Sequence, residues 1–326
     1  MSHAMSVRLY AAALAGAAML VATDVFPQSW PSKPVRIIVP FSTGGGTDIQ
    51  ARVLSAVFHE NTGQPFIVEN RAGASGLIGA ELAAGSPPDG YTILFSTATL
   101  TINPTLYGAR MKTDPVRDFA PISWLTSTPL VLVTHPSLPA KSVPELVALA
   151  RHRPGFLDAG IGVPGSTVHL SAEMLKQMAK LDVVFVPYKG GGPAMTALMS
   201  GEIDFMFFTG PVASAARRSG RVRLLAVTTA NPASAFPGLP TMNSFYPGFE
   251  FDNWYAMWFT AGTPRDIVAK MNGLIVNALK NDKVRDFMLK EGLDPVGSTA
   301  EELDAQVKRE IVKYAEVIRK GNIKLW

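Results

Sequence analysis

The stretch VRIIVPFSTGGGTDIQARVLSAVF, residues 35–58, decides how this chain folds. Its first seven residues form a near-continuous apolar run with β-branched side chains, which is typical of a strand buried on both faces of a parallel sheet. Three glycines follow, and apolar residues then recur at helical spacing at Ile49, Val53, Val57 and Phe58. The pattern predicts a strand, a glycine turn and a helix whose start is marked by Thr47 and Asp48.

A later stretch, residues 158–209, repeats this order of elements. It reads DAGIGVPGSTVHLSAEML and then VVFVPYKGGGPAMTALMSGEIDFMFFTG, as FIVENRAGASG and YTILFST follow the first helix. Equivalent positions lie at a slowly drifting offset: Thr47 and Thr167 are 120 residues apart, and Phe95 and Phe207 are 112 apart. The drift predicts two structurally equivalent lobes. Chance is the alternative, because strand and helix order is repetitive in α/β domains.

The alternation of strands and helices predicts parallel sheets with right-handed crossovers. The fold class is therefore predicted to be α/β with two lobes, each a mainly parallel sheet flanked by helices, and with a ligand cleft between them. Segments 125–133 and 223–229 are predicted to link the lobes. This assigns residues 30–126 and 228–326 to lobe 1 and residues 127–227 to lobe 2.

The first 29 residues have the layout of a signal peptide. Arg8 precedes an apolar run from Leu9 to Ala22, and small or polar residues follow. The run is too short to cross a bilayer, which takes roughly 20 residues. We expect export and a periplasmic location; a buried N-terminal helix is the alternative.

Composition excludes several classes of protein. The chain is 47% hydrophobic and 17% charged, which is typical of globular proteins. Its net charge of +4 is small for 326 residues, and no dense basic stripe with interleaved aromatics is present, so no nucleic-acid partner is predicted. Cysteine is absent and the histidines lack ligand spacing, so neither a metal nor a cofactor is predicted. Nucleotide-binding and hydrolase signatures are absent apart from a formal G-x-G-x-x-G at 160–165, and an enzyme is not expected.

The two glycine turns are the candidate binding elements. A helix N-terminus presents unpaired backbone N–H groups and a positive dipole end, so it accepts an anion without a basic side chain. Gly44 and Gly45 offer such a site in lobe 1, and Gly165, Ser166 and Thr167 offer one in lobe 2. These sites predict capture of a small molecule with two polar ends. The alternative is that the glycines only permit tight turns.

Several side chains near these turns have two interpretations. Asp48, His169 and Asp204 either contact the ligand or form structural hydrogen bonds. The same ambiguity, between a cleft wall and the core, applies to Phe41, Phe207, Phe208 and Trp254.

The motifs together resemble the Bordetella-uptake-gene-type receptors of tripartite tricarboxylate transporters. They are WPSKPVRIIVPFSTGGGTDIQAR at 30–52, VENRAGASGLIGAELAAGSPPDGYTILFST at 68–97, GSTVHLSAEML at 165–175, VPYKGGGPAMTALMSGEIDFMF at 186–207 and WFTAGTP at 258–264. The resemblance covers nearly the whole mature chain. It implies a type II periplasmic binding fold that closes around an organic carboxylate and passes it to a small and a large membrane subunit. We expect a monomer.

The resemblance also implies which residues contact the ligand. In lobe 1, largely through backbone groups and bridging waters, they are Phe41, Ser42, Thr43, Gly44, Gly45, Thr47, Asp48, Ala74, Ser75 and Gly76. In lobe 2, where the helix start holds a carboxylate, they are Gly165, Ser166, Thr167 and His169. Strand ends that face the cleft add Ala98, Phe208 and Thr209. Many relatives carry a proline and a glycine in place of Ser42 and Thr43.

Three questions stay open at this level. The ligand is either a dicarboxylate or an aromatic carboxylate such as terephthalate. The loaded protein either delivers its ligand to a transporter or contacts a membrane signalling protein, since the fold and cleft would be identical. A secreted enzyme acting through His169 or Asp204 is the third possibility.

Overall fold

The computed structural model describes residues 30–320 and 323. The predicted signal peptide, residues 1–29, lies outside the described residues. Those from Lys33 onward belong to one compact unit. No helix within the described part of the chain is both long and apolar enough to span a bilayer.

The helices and strands have the following bounds. The described strands are β1 (Val35–Val39), β2 (Phe66–Asn70), β3 (Thr92–Thr97), β4 (Phe119–Thr134), β5 (Asp158–Gly162), β6 (Val184–Pro187), β7 (Phe205–Thr209), β8 (Arg223–Val227), β9 (Asp252–Thr260) and β10 (Asp294–Pro295). The described α-helices are α1 (Gly46–Thr62), α2 (Leu77–Ala84), α3 (Thr99–Tyr107), α4 (Val143–His152), α5 (Thr167–Ala179), α6 (Gly191–Ser200), α7 (Gly210–Ser219), α8 (Arg265–Lys280), α9 (Asp282–Lys290) and α10 (Ala300–Lys320). Short 3-10 turns cover Ala74–Gly76, Gly108–Arg110 and Met242–Ser244.

The strands form one mixed sheet in the order β2-β1-β3-β9-β4-β7-β5-β6, and β8 and β10 also pair with β4. β2, β1 and β3 are parallel, as are β7, β5 and β6. We call the part built on β1, β2, β3 and β9 lobe 1 and the part built on β5, β6, β7 and β8 lobe 2. The two-lobed α/β fold is confirmed, and β1 with α1 confirms the strand, turn and helix predicted at 35–58.

The long strand β4 belongs to both lobes. It pairs with β9 as far as Pro129 and with β7 from Leu130 onward. β9 and β4 are antiparallel to each other and to their outer neighbours, β3 and β7. The sheets are therefore less parallel than the sequence predicts, because the strands that join the lobes run through the centre of the sheet.

Burial along the strands explains why these residues form them. All six residues of β3 and four of the five in β1 are buried, as expected for strands covered on both faces. The rings of Phe95 on β3 and Tyr255 on β9 lie 6.4 Å apart, and those of Phe207 and Phe249 stack at 5.8 Å. Burying one such side chain contributes about 1.5–3 kcal/mol. In the C-terminal part, α8 packs on β4 and α1, and α10 packs on β4 and α3.

The sequence repeat has a direct structural counterpart. α1 follows β1 in lobe 1, and α5 follows β5 in lobe 2. Thr47 is the second residue of α1 and Thr167 is the first residue of α5. Both helix starts therefore lie at the carboxyl ends of parallel strands, where ligands bind in α/β sheets.

Candidate functional site

A cavity lies between the two lobes at these strand ends. The centre of a water molecule can move within about 70 Å³ of this cavity, and one bound water needs only ~10–15 Å³. The residues that line it are Phe41, Gly45, Gly46, Thr47, Thr97, Thr99, Gly162, Val163, Ser166, Thr167, Val168, Gly190, Gly191, Met206, Phe207, Phe208, Thr209, Asn253 and Tyr255. A small molecule enclosed here would contact both lobes.

The lining contains the starts of five helices and no Asp, Glu, Lys, Arg or His. α1, α3 and α5 contribute their first residues, α6 contributes Gly191, and α7 contributes Thr209, the residue before its first turn. α1 and α6 have no side-chain cap, so first-turn N–H groups remain available there. Converging helix dipoles and N–H groups favour a bound anion.

The start of α1 differs in detail from the predicted start. Its N-cap is Gly45 rather than Thr47 or Asp48. The Asp48 carboxylate accepts a hydrogen bond from the Gly44 N–H at 2.9 Å and pairs with Arg52. Burial alone would raise the pKa of Asp48, but the hydrogen bonds from Arg52 and Gly44 lower that pKa below its usual value. Asp48 is absent from the cavity lining, and its carboxylate holds the glycine loop in shape instead.

The start of α5 is built around Ser166. Its hydroxyl oxygen accepts from the His169 N–H at 3.3 Å and caps the helix, which leaves the hydroxyl proton free to donate. The fully buried His169 accepts a hydrogen bond from the Gly165 N–H at its Nδ1 atom, at 3.0 Å. His169 does not line the cavity, so it shapes the turn behind the site. Thr167 donates across the cleft to Asn253 Oδ1 at 2.9 Å.

Asn253 and Tyr255 on β9 line the cavity, although the sequence did not single them out. They are 2% and 1% exposed. Asn253 Nδ2 and the Tyr255 hydroxyl form no hydrogen bond of regular geometry among the described residues. Burial raises the pKa of Tyr255, and hydrogen bonding from the neighbouring Thr209 and Asn253 side chains to its oxygen opposes this rise only in part, so the hydroxyl stays protonated. Both side chains are neutral donors.

Three of the four aromatic residues lie beside the cavity, but Phe207 and Phe208 are neighbours on β7, so their side chains point to opposite faces of the sheet. Phe41, Phe207 and Phe208 line the cavity. Trp254 packs instead between Trp124 and Trp258, with ring centroids at 6.3 and 6.1 Å. Side chains of neighbouring residues on a strand point to opposite faces, so Trp254 belongs to the core.

The structure divides the predicted contact residues into three groups. Those that line the cavity are Phe41, Gly45, Thr47, Ser166, Thr167, Phe208 and Thr209. Ala74, Ser75 and Gly76 line a neighbouring crevice together with Tyr107 and Lys189, and Val163 lines both spaces. The residues that line neither space are Ser42, Thr43, Gly44, Asp48, Ala98, Gly165, His169 and Asp204.

Asp204 does not line the cavity, and its contacts agree with the structural interpretation. It immediately precedes β7, whose residues from Met206 to Thr209 line the cavity. Its carboxylate accepts from the Asp158 N–H at 2.8 Å and so ties β5 to β7. Burial raises the pKa of Asp204.

Metal-binding side chains do not cluster in the part of the chain that the structure describes. No group of three or more His, Cys, Asp or Glu residues there is placed to hold a metal ion. Because the cavity lining has no side chain that titrates near neutral pH, the site is suited to holding an anion rather than to acid–base chemistry.

Comparisons with known proteins agree with this geometry. The protein BugT of Bordetella pertussis is 34% identical over 309 residues, which cover 94% of each chain. The solved structure of R. palustris Rpa4515 with adipate is 34% identical, with a TM-score of 0.88 over 90% of this chain and 99% of that one. MatC from Rhodopseudomonas palustris, solved with bound malate, is 29% identical, with a TM-score of 0.84 over 89% of this chain and 100% of that one.

A family model matches most of the chain. The TctC model, described as the tripartite tricarboxylate transporter family receptor, covers residues 50–323. The family and its structural neighbours are substrate-binding receptors and not enzymes. The family predicted from the sequence motifs is thus confirmed: the chain belongs to the TctC family of tripartite tricarboxylate transporter receptors.

Proposed function

We propose that the chain is an exported, periplasmic receptor that encloses a small organic carboxylate between its lobes and delivers it to the membrane subunits of a tripartite tricarboxylate transporter. One observation carries this proposal: the cavity is lined by five helix starts and neutral donors and by no charged side chain. An anion is stabilised there without a fixed counter-ion.

The energetics of the site are sufficient for useful affinity. Hydrogen bonds to a charged group contribute about 1.5–3 kcal/mol each. Four or five of them offset the desolvation of a carboxylate and leave the roughly 8 kcal/mol that corresponds to micromolar binding. The apolar walls formed by Phe41, Phe207 and Val168 accommodate the carbon skeleton of the ligand.

A dicarboxylate is the ligand class that we propose first. Donors lie on both sides of the cavity, with Ser166 and the start of α5 on lobe 2 and the start of α1 on lobe 1. The relatives Rpa4515 and MatC were solved with adipate and malate, both of which are dicarboxylates. An aromatic carboxylate is the alternative that the phenylalanine wall supports.

Thermal unfolding of the chain with a panel of ligands tests this proposal. The panel contains malate, succinate, adipate, terephthalate, benzoate, amino acids and neutral sugars. We expect at least one carboxylate at 1,000 times its Kd to stabilise the fold by about 4 kcal/mol, whereas the sugars have no effect. Stabilisation by none of the carboxylates would contradict the proposal.

The transporter partnership needs a separate measurement. Cells that lack this chain should lose uptake of the carboxylate that the panel identifies, and the gene supplied in trans should restore it. Unchanged uptake together with capture of a membrane signalling protein by the loaded chain would favour the sensor function instead.

A further inference from the structure

Two buried hydrogen-bond donors at the cavity wall carry a further inference. Asn253 and Tyr255 lie on β9 of lobe 1 and point to the same face of the sheet, since they are two residues apart. Both line the cavity and both are at least nine-tenths buried. Neither Asn253 Nδ2 nor the Tyr255 hydroxyl forms a hydrogen bond of regular geometry among the described residues, although the Thr209 and Asn253 side chains interact with the Tyr255 oxygen as donors.

Buried polar groups without partners are rare in folded proteins, because no hydrogen bond offsets the free-energy cost of removing them from water. Asn253 Nδ2 and the Tyr255 hydroxyl are both hydrogen-bond donors, and both residues line the same cavity. The Asn253 amide is fixed from the other side, since its Oδ1 atom accepts from Thr167 at 2.9 Å, and this leaves the Nδ2 protons for another acceptor. The Tyr255 hydroxyl lies against the first residue of α1, where a Cβ on Gly46 would collide with it.

We infer that Asn253 Nδ2 and the Tyr255 hydroxyl donate hydrogen bonds directly to one carboxylate group of the ligand and thereby determine which end group the receptor accepts. The inference rests on the proposed function and adds two specificity-determining residues to it. An ionised carboxylate offers only acceptor lone pairs, so it satisfies both donors at once.

The same arrangement discriminates against other end groups. An ammonium group has three donors and no acceptor, so it would face the donors of Asn253 and Tyr255 without forming a bond. Leaving buried site groups unpaired is the strongest means by which a site rejects a near-isosteric ligand. The donor pair therefore favours a carboxylate end over an ammonium end at this wall.

The first arm of the test needs no ligand. Tyr255→Phe removes only the hydroxyl, and Tyr314→Phe is its matched control. Tyr314 is equally buried, on α10, and its hydroxyl faces Glu310 outside the cavity. We expect Tyr314→Phe to lower the midpoint of thermal unfolding by roughly 2–4 °C. Tyr255→Phe should leave the midpoint unchanged or raise it, because the hydroxyl that it removes forms no hydrogen bond of regular geometry within the protein.

The second arm measures binding of malate and adipate by calorimetry. Tyr255→Phe should weaken binding of whichever of the two the wild-type chain binds at least tenfold, and Tyr314→Phe should change it less than twofold. Asn253→Asp keeps the acceptor for Thr167 but replaces the Nδ2 donor with an oxygen. It should also weaken binding at least tenfold.

The two arms separate the inference from the proposed function. A loss of stability in Tyr255→Phe as large as that in Tyr314→Phe would show an internal partner for the hydroxyl and overturn the inference. Wild-type affinity in both Tyr255→Phe and Asn253→Asp would overturn it as well. If the wild-type chain binds neither malate nor adipate, those dicarboxylates are excluded as ligands, while the ligand-free comparison still decides whether the Tyr255 hydroxyl is an unpaired donor.

Discussion

Gly46, the first residue of α1, packs directly against the buried hydroxyl of Tyr255 in the same lobe. A Cβ there would collide with the Tyr255 hydroxyl and would lie 2.9 Å from Thr209 Oγ1 on lobe 2. Tyr255 is 1% exposed, and its ring packs against that of Phe95. We predict that Gly46→Ala lowers the free energy of unfolding by about 1–3 kcal/mol, the usual cost of overpacking, and weakens carboxylate binding. Urea denaturation and calorimetry measure the two effects.

Gly273 provides the matched control for this substitution. It lies inside α8, and a Cβ added to it would meet no atom within 4 Å. Gly273→Ala should therefore stabilise the fold by about 0.5–1 kcal/mol through its higher helix propensity and leave binding unchanged. Equal stabilisation by Gly46→Ala would show that Tyr255 moves aside and that the contact is not a constraint.

Single residues also show where reasoning from the sequence succeeds and where it stops. Thr47 and Thr167 were predicted for the site because each follows a strand and a glycine turn, and both line the cavity. Asn253 and Tyr255 were missed because the site was predicted at the carboxyl ends of parallel strands. They lie instead near the amino end of β9, which is antiparallel to its neighbours. Their pairing beside Thr97, the last residue of β3, places them at the cleft. That pairing is a long-range contact with no local signal in the sequence.

Helices contribute their starts to the site rather than particular charged side chains. Ser166 caps α5 and lines the cavity, whereas Ser142 caps α4 away from it, and each hydroxyl oxygen accepts a backbone N–H at 3.3 Å. We predict that Ser166→Ala and Ser142→Ala each destabilise the fold by about 0.5–2 kcal/mol through loss of the cap. Only Ser166→Ala should also weaken carboxylate binding, at least tenfold, because its proton is available to the ligand.

Calorimetry on the two serine variants separates capping from binding. Equal affinities in Ser166→Ala and Ser142→Ala would mean that the Ser166 hydroxyl serves the helix alone. The carboxylate would then be held by backbone N–H groups at the start of α5.

Strand and helix identity was largely predictable from local pattern, but strand direction was not. The apolar run at residues 35–41 predicts a strand and the spacing of apolar residues from Ile49 predicts a helix, and both are found, as β1 and α1. β9 is antiparallel to β3, and β4 continues from one lobe into the other, so the sheet is mixed. Direction is set by which strands meet in the tertiary structure, and hydrophobic periodicity carries no information about that.

At the scale of the whole molecule, the lobes meet across the cleft through backbone groups as well as through the hydrogen bond from Thr167 to Asn253. The Ser42 N–H donates to the Lys189 carbonyl at 3.3 Å. Beside this bond, Gly192 of α6 packs against the lobe 1 loop so closely that a Cβ would collide with the Thr43 carbonyl oxygen and lie 3.3 Å from the Gly44 carbonyl carbon. A side chain at Gly192 would therefore keep the lobes from touching here.

Gly192→Ala should consequently prevent full closure without harming either lobe. Gly192 lies in the first turn of α6, where alanine is tolerated, and the collision occurs only when the lobes are together. A ligand stabilises the closed state only by contacting both lobes, so the variant should bind the panel carboxylate at least tenfold more weakly.

Small-angle scattering should show the ligand-induced decrease in radius of gyration in wild type and in Gly273→Ala but not in Gly192→Ala. The unfolding free energy of the ligand-free variant should stay at or above the wild-type value. Normal compaction with wild-type affinity would mean that the loop around Thr43 yields, and that closure does not depend on this glycine contact.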